Sequence, residues 1–178
     1  EEMQLFDAVY TYSEEDLPAD FKKKWGQYLI PYSRGFGYWC WKPWMLLDAL
    51  SKIDDGDVLL YLDLGCFLNP NGKKRMQEYY DMVEQTPTGI VGTRSQIESY
   101  NNLAETLYYE YEWTKGDVFA YYNVLNDPFY TQSTQFESGI IFFKKSPTSV
   151  QFVEDWEKAY NDDYSLATDS PSRVPNLP

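Results

Sequence analysis

The sequence contains no histidine, and this absence removes several familiar kinds of catalytic site. Histidine is the commonest general base, and it completes the Ser-His-Asp and Cys-His nucleophile systems. Zinc sites that use histidine are excluded for the same reason. Any chemistry must therefore use carboxylates, lysine, arginine, hydroxyls, backbone amides or a metal that prefers oxygen ligands.

Cysteine, positive charge and long apolar runs are also scarce. Cys40 and Cys66 are too few for a disulfide framework, so we expect two reduced, buried side chains. The 15 Lys and Arg residues against 28 Asp and Glu residues give a net charge of −13, which argues against nucleic-acid and anionic-membrane partners. No apolar run reaches the roughly 18 residues of a transmembrane helix.

The chain length of 178 residues predicts one domain spanning residues 1–178, with a loose, polar, proline-rich tail over 162–178. The acidic start at Glu1 and Glu2 does not match a secretory signal. We therefore expect a cytoplasmic protein, or one at the cytoplasmic face of a membrane. The Golgi lumen is the alternative for a trimmed eukaryotic chain.

Aromatic residues are abundant, at 19% of the chain with 17 Tyr and 6 Trp. Tyr and Trp combine a flat face with a polar edge, which suits sugar rings and nucleobases. A tyrosine-rich core explains the same composition, so both interpretations stay open.

Apolar patterning predicts strands that alternate with helices. Strands are predicted over residues 6–12, 58–62, 89–93 and 138–143, and helices near 18–29, 42–53, 73–85, 114–124 and from 147 onward. The run at 58–62 is continuously apolar, which is typical of a parallel strand covered on both faces. We therefore predict an α/β fold with a mostly parallel central sheet flanked by helices.

Asp63 follows this apolar run directly, at the strand end where ligands of parallel sheets bind. A carboxylate there is costly to bury unless it is paired or bound to a metal. One interpretation is a ligand to Mg²⁺ or Mn²⁺ that bridges a diphosphate. The other is an ordinary turn, because Asp-x-Gly is common in turns.

Three further segments carry candidate site residues. The loop over 33–43 combines the basic Arg34 and Lys42, aromatic stacking faces and a helix start, and a nucleotide diphosphate needs all three features. Its two glycines let the backbone approach a ligand closely. The predicted ligand-binding residues here are Arg34, Gly35, Gly37, Tyr38, Trp39 and Lys42. Lys115 and Asp117 lie at a predicted helix start, and Glu137 precedes a strand as a candidate acid or base. Aromatic packing, helix capping and a strand-edge carboxylate are the plainer interpretations.

Five ordered motifs resemble a family of nucleotide-sugar glycosyltransferases of the GT-A type, whose members are linked to capsular or surface polysaccharide assembly. The motifs are Arg34–Pro43, Asp57–Cys66, Trp113–Asp117, Gly139–Phe143 and Asp169–Ser172, and together they span nearly the whole chain. The resemblance implies a Rossmann-like sheet, a nucleotide-diphosphate sugar donor, a glycan or lipid-linked acceptor, and Mn²⁺ or Mg²⁺.

The same resemblance implies roles for individual residues. Asp63 falls where such enzymes keep the first Asp of their Asp-x-Asp metal motif, so it is the predicted metal ligand. Arg34 and Lys42 lie near phosphates, Tyr38 and Trp39 frame the nucleotide or sugar, and Lys115 helps to shape the donor site. Glu137 and Asp117 are the predicted catalytic carboxylates.

The sequence departs from the family pattern at three places. Residue 65 is Gly where the second Asp of the metal motif is expected. Family members carry a first strand before this chain begins and a His-containing segment beyond Pro178. The resemblance therefore implies a GT-A-like domain that lacks both elements.

Two other functions stay open. The missing carboxylate and histidine suit a catalytically degenerate module that binds a glycan or nucleotide without turnover. A nucleotidyltransferase on a similar fold is disfavoured, because the glycine-rich basic loop that usually follows the first strand is not seen.

Overall fold

The computed structural model describes residues 5–94, 96–97 and 106–174. Its helices are α1 (Ala19–Trp25), α2 (Gly35–Tyr38), α3 (Trp41–Ser51), α4 (Lys73–Gln85), α5 (Glu110–Trp113), α6 (Gly116–Tyr121), α7 (Pro128–Thr131) and α8 (Pro147–Asp162). Its strands are β1 (Val58–Leu62), β2 (Ile90–Arg94), β3 (Gln96–Ile97), β4 (Thr106–Leu107) and β5 (Phe136–Lys144). The predicted α/β class is confirmed.

The described central sheet has three strands in the order β1-β5-β2. Both pairs are antiparallel, so β1 and β2 run in the same direction on either side of β5. A second, two-stranded sheet pairs β3 with β4, again antiparallel. These sheets do not match the mostly parallel sheet predicted from the sequence.

Helices cover both faces of the central sheet, and this explains the continuous apolar pattern of β1. Side chains of β5 alternate between faces, with Phe143 in the core beneath α3 and α8 and Phe142 in the core beneath α4. In register, Phe143 pairs with Leu59 and Ile90. A strand that is buried on both faces needs apolar residues whether its neighbours are parallel or antiparallel. The apolar pattern therefore indicates that both faces are covered, and it does not indicate strand direction.

The predicted strand over residues 6–12 does not form. The backbone is not in a ladder here, and Val9 is 78% exposed. Tyr12 instead turns its hydroxyl to Asp48 of α3, donating to Oδ2 at 2.7 Å. An alternating pattern becomes a strand only where a neighbouring strand supplies hydrogen-bond partners. No described strand lies alongside this segment.

Both cysteines are free thiols. Cys40 is buried, and that burial raises the pKa of its thiol to about 11. Cys66 is only partly buried, on the turn that follows β1. The expectation of a reduced, buried thiol is therefore met by Cys40, whereas Cys66 is reduced but only partly buried.

None of the helices in the described ranges is long and apolar enough to cross a membrane.

The two-sided core predicts a large penalty for truncating its central side chain. Phe143 is fully buried, so Phe143→Ala should lower the free energy of unfolding by about 3–5 kcal/mol through lost burial and a residual cavity. Urea unfolding followed by circular dichroism measures the loss. Phe129→Ala is the matched control, because Phe129 is 77% exposed and its loss should change stability by less than about 0.5 kcal/mol. Equal effects of the two variants would contradict the described core.

Candidate functional site

Asp63 lies at the end of β1, next to Gly139 of β5. Its backbone N–H donates to the Gly139 carbonyl at 2.9 Å, and its own carbonyl accepts from Cys66 N at 2.9 Å. The first bond continues the β1–β5 ladder by one residue, and the second closes a turn. The ladder and the turn together hold the Asp63 backbone on both sides.

A buried lysine holds the Asp63 side chain. Lys42 lies in the first turn of α3 with 3% of its side chain exposed, and its Nζ is 3.0 Å from Asp63 Oδ1. The same Nζ donates to the carbonyl and hydroxyl oxygens of Ser138, at 3.3 and 3.5 Å. Lys42 therefore links α3 to the ends of β1 and β5. This differs from its predicted place beside a donor phosphate, because its ammonium points into the protein.

Tyr61 is a second partner of the same carboxylate oxygen. Its hydroxyl donates to Asp63 Oδ1, and the Lys42 ammonium lies 5.1 Å from the centre of its ring. Burial, followed by the bond to Asp63, raises the pKa of Tyr61 far above its ordinary value. The hydroxyl thus stays protonated and acts as a donor.

The second oxygen of Asp63 takes no part in the contacts with Lys42 and Tyr61. The contacts that Lys42 and Tyr61 make both fall on Oδ1, and 42% of the Asp63 side chain is exposed. A side chain at position 139 would start only 3.2 Å from Oδ2, so Gly139 keeps that oxygen clear. Asp63 is therefore an oriented carboxylate with one internally paired oxygen.

Glu137 lies on the same edge of the sheet as Asp63. It is two residues before Gly139 on β5, about 7 Å along the strand, and it is exposed. Thr93 Oγ1 donates to Glu137 Oε2 at 3.2 Å, next to a bulge between Gly92 and Thr93 of β2. Bulges commonly re-aim side chains near sites. The structure therefore brings two candidate carboxylates to one sheet edge.

The metal-binding capacity of this edge rests on few ligands. Within residues 5–94, 96–97 and 106–174, no group of three His, Cys, Asp or Glu side chains is arranged to hold a metal ion. Mg²⁺ in phosphate-transfer sites often uses only one or two carboxylates, with waters and substrate phosphates completing its shell. Asp63 Oδ2 fits that sparse pattern.

The predicted donor-binding loop forms a left-handed helical turn, α2. Five consecutive residues, 35–39, have positive φ angles between 48° and 86°. Tyr38 N and Trp39 N donate to the carbonyls four residues earlier, at 2.7 and 3.1 Å. A left-handed turn costs an L-residue roughly 1–2 kcal/mol, so glycine is favoured at 35 and 37. At Gly35 a Cβ would also lie 2.3 Å from the Trp39 ring.

Aromatic side chains stabilise this strained turn. Tyr164 donates its hydroxyl to Gly37 O at 2.8 Å, and Tyr160 donates to Tyr38 O at 2.7 Å. The indole of Trp41 donates to Gly35 O at 3.0 Å. Much of the tyrosine and tryptophan richness around this loop therefore satisfies backbone carbonyls. Sequence reasoning missed Tyr160 and Tyr164, which lie more than 120 residues away.

The polar side chains of the turn meet Asp169 at the surface. Arg34 forms an ion pair with Asp169 Oδ1, with the two side chains 61% and 57% exposed, and Tyr38 donates to Oδ2 at 3.2 Å. The Arg34 guanidinium also lies 5.7 Å from the Trp39 ring. Exposed ion pairs of this kind contribute about 0–1 kcal/mol to stability. An anionic ligand can therefore replace Asp169 as the partner of Arg34 at a low cost in free energy.

Lys115 and Asp117 bind the end of the described chain rather than the Asp63 edge. Lys115 donates to the carbonyls of Ser165 and Thr168, at 2.8 and 3.3 Å. Asp117 is 3% exposed and accepts from the backbone N–H groups of Arg173 and Val174 at 3.0–3.1 Å. Residues 163–174 therefore differ from the loose tail predicted from the composition. The surroundings of Asp117 support an anchoring role and not a catalytic one.

Comparisons of the chain with family models, curated proteins and solved structures find no match.

The Lys42–Asp63 pair predicts unequal costs for removing its two members. Asp63→Asn leaves a nearly buried ammonium without its counter-charge and should cost about 3 kcal/mol of unfolding free energy. Lys42→Met leaves a carboxylate that water partly solvates and should cost about 1 kcal/mol. The double variant should be more stable than the sum predicts, which urea unfolding of all four proteins measures. Additive losses would show that the two side chains do not interact.

The Asp117 anchor predicts a stability that depends on pH. The Arg173 backbone N–H, followed by that of Val174, lowers the pKa of Asp117. Its contribution is therefore present above the ordinary carboxyl pKa of about 4 and is lost as the pH falls through the lowered value. Asp117→Asn should speed proteolysis within residues 163–174 at about pH 7, and its stability deficit should shrink towards about pH 3. The exposed control Asp20→Asn should change neither measurement. A deficit independent of pH would contradict the ionised anchor.

Proposed function

We propose that this protein is a glycosyltransferase domain that transfers a sugar from a nucleotide-diphosphate donor to a hydroxyl on a glycan or lipid-linked acceptor. The observation that carries the proposal is the oriented carboxylate of Asp63, with one oxygen paired internally and the other beside Gly139. The GT-A-like fold is part of the proposal. The parallel direction of β1 and β2 around β5 supports it.

A divalent Mn²⁺ or Mg²⁺ ion is part of this proposal, with Asp63 as its protein ligand. When bound, such an ion offsets the negative charge that develops on a departing diphosphate. Asp63 itself needs no reorganisation to receive it, because Lys42 and Tyr61 already hold the carboxylate in one orientation. Preorganised charge of this kind is a large contribution to catalysis.

Other residues have roles at the donor and acceptor sides. Arg34 is a surface cation that can bind phosphate, because its partner Asp169 is exposed and exchangeable. Tyr38 and Trp39 would frame the nucleotide or sugar. Glu137 is the candidate acid or base that faces the acceptor, since it is exposed on the same sheet edge as Asp63. In this proposal Lys42 orients Asp63, whereas Lys115 and Asp117 anchor residues 163–174, and none of the three contacts substrate.

A binding module without turnover is the second candidate. It is favoured by the Lys42 ammonium, which already neutralises Asp63, and by the sparse metal ligands of the described residues. Such a module would hold a glycan or nucleotide without a metal requirement.

A thermal-shift screen of UDP, GDP, CDP and dTDP, with and without Mn²⁺, tests the transferase. One nucleotide should raise the melting temperature by about 5–10 °C at 100 times its dissociation constant, and only with the metal present. The matching nucleotide sugars should then be hydrolysed or transferred. Asp63→Asn should abolish the metal-dependent shift measured against its own ligand-free melting temperature, whereas Asp20→Asn should retain it.

The screen separates the candidates. Glycan or nucleotide binding that is unchanged in chelator and gives no turnover would favour the binding module. Neither binding nor turnover with any of the four nucleotides, with Asp63→Asn behaving as the parent, would reject the transferase.

A further inference from the structure

A cavity lies between residues 9–18 and the face of α3 that carries Trp44, Asp48 and Lys52. Its volume is about 580 Å³, within the usual range for small-ligand pockets. Lys42, which contacts Asp63, lies two residues before Trp44 and projects from the opposite side of α3, because each residue turns the helix by about 100°. The cavity is therefore separate from the proposed donor site.

Aromatic rings form much of the cavity wall. Tyr10, Tyr12 and Trp44 line it, and the rings of Tyr12 and Trp44 meet edge to face with centres 6.2 Å apart. Tyr10 is 37% exposed. Such rings offer flat apolar surface together with a polar edge.

Polar groups between the rings are already oriented by one another. Tyr12 donates to Asp48 Oδ2 at 2.7 Å, and Lys52 forms an ion pair with the same oxygen. The Lys52 ammonium lies 5.0 Å from the centre of the Tyr12 ring. Both contacts fall on Oδ2, so they leave Asp48 Oδ1 unused. Groups held in place before binding lose little freedom when a ligand arrives.

The charge of the cavity disfavours an anionic ligand. Asp16 and Asp48 contribute two negative charges and Lys52 one positive charge, so the lining carries a net charge of −1. A phosphate or nucleotide would meet net repulsion there. An uncharged ligand with many hydroxyl groups suits the two carboxylates, the ammonium and the phenol.

We propose that this cavity is a saccharide-binding site for an uncharged pyranose. The C–H face of a sugar ring packs on an aromatic surface, and its hydroxyls donate to Asp48 Oδ1 and accept from Lys52. The proposal does not rest on the transferase activity, because it requires neither a donor nucleotide nor a metal.

Ligand-observed saturation-transfer NMR tests the site, with D-glucose, D-galactose, D-mannose and N-acetyl-D-glucosamine as probes. At least one sugar should bind in chelator, and Tyr10→Ala should weaken that binding roughly tenfold. Tyr32→Ala is the matched control, because Tyr32 is fully exposed and outside the cavity lining, and it should bind as the parent does. Tyr12→Phe removes only a hydroxyl, so it tests the polar wall if Tyr10→Ala fails to fold.

The outcomes distinguish this site from the donor site. Sugar binding that survives Asp63→Asn and is lost in Tyr10→Ala or Tyr12→Phe supports the cavity, whether or not any nucleotide binds. No binding of the four sugars, binding lost in Asp63→Asn, or displacement of the sugar by inorganic phosphate would each overturn it.

Discussion

The contact between the Lys42 ammonium and the Asp63 carboxylate is the interaction on which the candidate site depends. An ammonium with 3% of its side chain exposed is tolerated only beside a counter-charge and hydrogen-bond acceptors, which Asp63 and the Ser138 carbonyl supply. The pair joins the start of α3 to the ends of β1 and β5. Once it forms, the orientation of Asp63 follows, and its second oxygen is left beside Gly139.

A second constraint is the strained turn at residues 35–39. Left-handed backbone at Phe36, Tyr38 and Trp39 persists only if the surroundings compensate for it. The hydroxyls of Tyr160 and Tyr164 do so by donating hydrogen bonds to backbone carbonyls of the turn. Tyr164 also stacks on Tyr28, with ring centres 3.8 Å apart. The turn is thereby connected to the end of α8, and Arg34 is held at the surface beside Asp169.

Local sequence signals predicted single elements well. The strand at 58–62 and the helix at 73–85 have the bounds that patterning indicated, and Pro147 opens α8 after the Ser146 cap. These signals act within a few residues, through burial periodicity and capping bonds. They failed for residues 6–12, where a strand needs a partner that the pattern cannot supply.

The amino-acid sequence alone determined the chemistry that is available: carboxylates and cations without histidine, a carboxylate after the most apolar segment, and glycines in an aromatic loop. Tertiary structure decided which charges meet. Lys42, Lys115 and Asp117 all resembled substrate ligands in sequence, yet each is held inside the protein by groups that lie 21 to 96 positions away. A buried charge takes whichever partner the packed chain brings within reach, and that distance is a property of the fold and not of sequence spacing.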